Sequence, residues 1–288
     1  MKIGVALAGG GLKGVAHIGA LKALEELGIN IEYISGTSSG AAMATLYALG
    51  YTPSEMEKIT EESYKKIVKI KKRTIIKYVL QSMWHRKIQV QGIIKGESVE
   101  KIVEEYANKK QVYNMTDIKK NFAMIAADAK TTNKCVFISK NINTTKDVEY
   151  VSNIPIGKAV RASMAFPAIF TPCEYGKHCF IDGGTVDNMP VKELTDMGAD
   201  KTISISFTLD EFTGKENLFS VILRACDIFS LKDVKKGQDI SDISIEIDMR
   251  NAKLLSIDNI KASIQIGYDT VMKNKEKILR MVEGKWKH

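Results

Sequence analysis

Apolar runs of strand length recur along the chain at residues 3–8, 31–35, 122–127, 134–139, 201–207 and 243–247. Stretches with helical spacing lie between or after them, at 12–27, 39–49, 98–109, 156–164, 190–197, 218–235 and 259–282. This alternation predicts a layered α/β domain with a largely parallel sheet. The strand-like run Phe122-Ala-Met-Ile-Ala-Ala127 lacks the in–out alternation of a half-exposed strand, so helices are expected over both sheet faces. No internal repeat interrupts the pattern. Residues 54–96 do interrupt it, and are read as an insertion.

The 288 residues, 44% hydrophobic and 26% charged, suit a globular chain able to bury a substantial core. No uninterrupted apolar stretch approaches the roughly 20 residues of a membrane-spanning helix. The start, a strand-like run Ile3 to Ala8 followed by glycines, does not read as a signal peptide. A cytoplasmic protein is the expectation. The four cysteines (Cys135, Cys173, Cys179, Cys226) lack the paired spacing of a zinc motif. Reduced thiols, no metal and no cofactor are therefore expected.

The net charge of +8 is concentrated in one place. Between Lys58 and Lys95 stand eleven basic residues and two acidic ones, Glu61 and Glu62. Nucleic-acid binding would more naturally spread its basic face over the fold. The basic segment, interleaved with Ile75, Ile76, Val79, Leu80 and Trp84, has two readings: a lid or peripheral contact with an anionic membrane surface, or a helical hairpin with a solvated lysine face.

The candidate chemistry starts at Gly36-Thr-Ser-Ser-Gly40, a G-x-S-x-G run between a strand-like and a helix-like segment. Glycines at such a turn let the serine hydroxyl project clear of the sheet, and the helix start favours developing negative charge. Ser38 is thus the candidate nucleophile. Gly9-Gly-Gly-Leu-Lys-Gly14 follows the first strand and fits G-x-G-x-x-G. A dinucleotide site would want an acidic residue at the end of the second strand, but that strand runs into the serine turn instead. The loop's free N–H groups suit an oxyanion hole. Of four histidines, His17 reads as packing, His85 lies in the insertion, and His288 is the final residue. His178 stands close to Asp182 and remains open as a base. Asp182, delivered by Cys179-Phe-Ile181 into the turn Gly183-Gly184, is an alternative base, or simply part of a β-turn.

These three motifs in this order resemble the signature of patatin-like phospholipases. Arg161-Ala-Ser-Met-Ala-Phe-Pro-Ala168 and Asp187-Asn-Met-Pro190 resemble stretches that bacterial members carry. The resemblance spans about residues 3–205. It implies a three-layer α/β/α fold over a single domain, 1–288, with the insertion at 54–96 and a C-terminal extension at 206–288. It also implies Ser38 as nucleophile, Asp182 as base, and the Gly9–Gly11 loop as oxyanion hole, with Gly10 and Gly11 the main donors. Lys13 takes the family's basic position, able to meet substrate phosphate, and Gly14, Gly36, Gly40, Gly183 and Gly184 complete the motifs. The implied activity is metal-free hydrolysis of fatty-acyl esters of lipids. Acyl transfer, or lipid binding without turnover, are the alternatives. Oligomeric state is not legible.

Overall fold

The computed structural model describes residues 1–66, 96–140, 148–167, 169–209, 211, 218–250 and 257–284. The strands are β1 (Ile3–Leu7), β2 (Ile31–Thr37), β3 (Asn121–Asp128), β4 (Lys134–Ile138), β5 (Val148–Val151), β6 (Cys173–Tyr175), β7 (His178–Asp182), β8 (Lys201–Phe207) and β9 (Ile243–Ile247). The helices are α1 (Ala16–Glu26), α2 (Ser39–Ala48), α3 (53–66), α4 (Glu97–Lys109), α5 (Ile156–Ser163), α6 (Val191–Met197), α7 (Leu218–Ile240), α8 (Ile257–Lys273) and α9 (Lys275–Val282).

The sheet runs β5-β4-β3-β2-β1-β8-β9, and the five strands from β3 to β9 are mutually parallel. Each β1 residue is fully or nearly fully buried, as a central strand covered on both faces must be. Its alternate residues serve different layers. Ile3, Val5 and Leu7 enter the main core with α1 and α2, whereas Ala6 and Ala8 pack with Val191 and Leu194 of α6. Three layers, α/β/α, follow from that period of two. Truncating a fully buried residue such as Leu7 to alanine would cost about 2–5 kcal/mol.

The segment after residue 205 packs onto the rest of the fold. β9 extends the parallel sheet beside β8, and α8 lies against α1. A Cβ on Gly19 would stand 1.8 Å from the Ile264 carbonyl oxygen, and one on Gly267 would stand 2.0 Å from that of Ala16. Both positions must be glycine for the two backbones to approach so closely. Of the insertion read at 54–96, α3 occupies 53–66, and residues 67–95 lie outside the described residues.

One topological detail sets up the site. β3 has β4 on one edge, opposite Ala123 to Ala127. Its other edge carries β2 opposite Asn121 to Ile125 and then β7, antiparallel, opposite Ala126 to Asp128. β2 and β7 therefore run toward each other along the same edge and stop one residue apart, Thr37 beside Ile125 and Asp182 beside Ala126.

Candidate active site

Ser38 and Asp182 are the residues at that meeting of strand ends. Ser38 Oγ donates to Asp182 Oδ2 at 2.6 Å. Ser38 holds φ 54° and ψ −123°, a conformation that costs a non-glycine residue about 1–3 kcal/mol. The turn survives because α2 begins immediately after it, with its first residues seated on β1. A Cβ on Gly40 would meet the Leu7 carbonyl oxygen at 2.2 Å, so no larger residue fits there. Gly36 likewise lies against Gly40, Gly14 against Ser39, and Gly183 against the Ile125 carbonyl. Ser38 N–H donates to Ser163 Oγ at 3.0 Å, which fixes the turn to the end of α5.

Asp182 is buried, and its second oxygen, Oδ1, accepts from Gly184 N–H at 2.8 Å. Burial raises its pKa to about 6, against the opposing pull of the hydrogen bonds from Ser38 and Gly184. Near neutral pH it is ionised and still basic enough to take a proton.

The glycine loop is more committed than its sequence suggests. Gly9 N–H donates to Asn188 Oδ1 at 3.0 Å, and Gly10 N–H to Ser39 Oγ at 3.0 Å. Gly11, at φ +58°, has an N–H without an acceptor among the described residues. The N–H of Ser39, first residue of α2, is in the same position. Of the expected donors Gly9, Gly10 and Gly11, the first two thus give their N–H groups to side chains. Lys13 Nζ, expected to face substrate phosphate, donates to the Thr208 carbonyl at 3.2 Å and is half-buried.

Asp187 to Pro190 hold these parts together. Asn188 bonds Gly9 at both its N–H and its carbonyl, Thr37 Oγ1 donates to the Asp187 carbonyl, and Ser35 Oγ to that of Pro190. Asp187 is paired in turn with Lys134, which also binds Glu193. Ser163 and Asn188 lie in the Arg161–Ala168 and Asp187–Pro190 stretches, but their partners are more than a hundred residues away, so the chain alone does not declare these contacts.

The histidines stand elsewhere. His17 is fully buried, its Nε2 is 2.9 Å from the Ala8 carbonyl oxygen, and desolvation lowers its pKa to about 4. It is neutral packing at the end of β1. His178 begins β7 while Asp182 ends it, a separation of about 13 Å along the strand. It contacts Asp128 and Glu149 instead. His85 and His288 lie outside the described residues, and all four cysteines are free thiols.

Beside the loop opens an apolar cavity of about 190 Å³. Gly11, Leu12 and Ser39 border it, and Leu46, Val99, Val103 and Tyr106 are among the side chains of its walls. Among the described residues no helix is long and apolar enough to cross a membrane.

Comparison with known proteins agrees with this architecture. The family model described as patatin-like phospholipase matches residues 5–195. The Bacillus subtilis protein YqhO is 26% identical, over 91% of this chain and 90% of its own length. Lysophospholipase NTE1 of Meyerozyma guilliermondii is 26% identical over 91% of this chain, which spans 16% of that larger protein. Human GIVD cytosolic phospholipase A2, solved with methyl gamma-linolenyl fluorophosphonate, superposes with a TM-score of 0.53 at 11% identity, covering 99% of this chain and 58% of that one. At that identity the likeness concerns the fold alone.

Proposed function

The chain belongs to the patatin-like phospholipase family of lipid hydrolases, and from that premise we propose that it cleaves fatty-acyl esters of phospholipids or related lipids through Ser38 and Asp182. The 2.6 Å bond between Ser38 Oγ and a buried carboxylate carries this reading. As Oγ attacks the ester carbonyl, its proton passes to Asp182 Oδ2, and the carbonyl oxygen becomes an oxyanion. The N–H groups of Gly11 and Ser39 stabilise it, aided by the partial positive charge at the start of α2. Collapse of the intermediate breaks the ester C–O bond, and Asp182 returns the proton to the departing alcohol. Water then gives a proton to Asp182 while attacking the acyl–Ser38 ester, and collapse releases the fatty acid with Ser38 reprotonated. The apolar cavity beside Gly11 supports a hydrocarbon chain as the acyl group.

A fluorophosphonate tests the assignment directly. Intact mass should rise by one phosphonyl adduct in the wild-type chain and stay unchanged in Ser38→Ala. An adduct on Ser38→Ala would discard the nucleophile. We also propose that the basic segment Lys58–Lys95 draws the enzyme to anionic head groups. Neutralising Lys69, Lys71, Lys72 and Arg73 should then abolish vesicle co-sedimentation at low salt, and unchanged binding would reject the role.

A further inference from the structure

Four side chains outside the reaction centre converge on one sheet face. Cys135 of β4 lies directly opposite Glu149 of β5, so their side chains share that face. Cys135 also pairs with Ala126 of β3, and Asp128, two residues on, points the same way. Phe180 pairs with Asp128, which puts His178, two residues earlier on β7, on the face as well. Cys135 is fully buried, Asp128 and His178 are buried, and Glu149 is half-buried.

The geometry has the order of a metal centre. One ligand atom each from Cys135, Glu149 and His178 can be chosen so that all lie within 4.8 Å of one another. His178 Nε2 stands 3.4 Å from Glu149 Oε1. Metal–ligand bonds of about 2.0–2.1 Å in a tetrahedron give an N···O edge of about 3.4 Å, so that edge is already the right length. The opposite ring nitrogen, Nδ1, is 2.9 Å from Asp128 Oδ2. A carboxylate on the far side of the imidazole is the partner that fixes the tautomer of a metal-bound histidine and leaves Nε2's lone pair for the ion.

We propose that Cys135, Glu149 and His178 form a binding site for a divalent metal of zinc's character, with Asp128 orienting His178. Thiolate, imidazole and carboxylate together suit zinc, which accepts sulfur, nitrogen and oxygen donors in tetrahedral array. Binding forms the metal–sulfur bond and releases the Cys135 thiol proton to solvent. The ion's two positive charges then balance the thiolate and the Glu149 carboxylate. Water completes the fourth position from the half-exposed Glu149 side.

Such an ion would tie β5, β4 and the β6–β7 hairpin together at the end of β7 remote from Asp182. Its role is structural: it holds the strand that delivers the carboxylate. Sequence spacing conceals it, because positions 135, 149 and 178 meet only through strand pairing.

The test uses the full chain, stripped with a chelator and titrated with cobalt(II). A saturable thiolate-to-cobalt charge-transfer band should appear in the wild type and be bleached by zinc. Cys135→Ser should lose the band, and Cys226→Ser should keep it. Asp128→Asn should weaken cobalt affinity by about 10–100-fold. Glu149→Gln, at the half-exposed edge, should weaken it too, and serves if Cys135→Ser fails to fold. Absence of the band in the wild type, or its persistence in Cys135→Ser, overturns the site and leaves His178 as a hydrogen-bond partner of Asp128 beside Glu149.

Discussion

The hydroxyl of Ser38 and the carboxylate of Asp182 share a 2.6 Å hydrogen bond across 144 positions of sequence. As the proposed base, Asp182 must be ionised to act, and burial sets its pKa at about 6. The rate of hydrolysis of a soluble ester should rise with pH through about 6 and then level. Asp182→Asn should lower kcat by about 10²–10⁴-fold and abolish that rise. A pH–rate profile of Asp182→Asn matching the wild type would exclude the carboxylate from proton transfer.

Stability should respond to the same group in the opposite sense. Asp182 is more basic folded than unfolded, so its stabilising contribution is complete below about pH 4 and is lost as pH rises through about 6. His17 behaves conversely: its pKa falls from 6.5 to about 4, so its contribution is complete above 6.5 and lost as pH falls through about 4. Each shift corresponds to about 3 kcal/mol, and between about pH 4 and 6.5 the two oppose each other. Urea midpoints of the wild type should therefore vary little from this pair. Asp182→Asn should lose stability more steeply on acidification, and His17→Gln should gain it. Parallel curves for all three proteins would refute the opposition.

Gly11 and Gly40 should fail in different ways. Nothing lies within 4 Å of a Cβ at Gly11, so Gly11→Ala meets only the cost of a positive φ, about 1–2 kcal/mol. Disturbing its N–H should still reduce turnover by about 10²–10³-fold. Gly40→Ala, by contrast, forces a Cβ into the Leu7 carbonyl and should prevent accumulation of folded protein. Thermal melts beside turnover separate the cases; normal turnover in Gly11→Ala would remove this donor.

The cavity beside Gly11 sets chain length if it receives the acyl group. Val103→Phe narrows its wall on α4. Activity on long-chain esters should fall at least about 10-fold relative to acetyl esters, since one methylene's misfit is commonly worth that much. An equal effect on both ester lengths would place the chain elsewhere.

How much of this was legible depends on how local each signal is. Ser38 and its flanking glycines declare a strand-to-helix turn within five residues, and the apolar runs foretold the three layers. β5 does not declare itself, because Val148-Glu-Tyr-Val151 is only four residues long and is neither uniformly apolar nor alternating. The placement of Asp182 was legible through resemblance to a family, since nothing in Asp182-Gly-Gly184 says that β7 halts against the end of β2. That Asn188 and Ser39 occupy the Gly9 and Gly10 N–H groups is not legible either, for the same reason, although Asn188 lies in the Asp187–Pro190 stretch. The packing of the segment after 205 is not legible, because the approach of Gly19 to Ile264 and of Gly267 to Ala16 leaves no local mark in the chain.

The head-on arrival of β2 and β7 beside β3 also orders events during synthesis. The ribosome makes the turn that carries Ser38 early and the hairpin that carries Asp182 much later. On the proposed assignment, a nascent chain that has not yet extruded that hairpin holds the serine without its base.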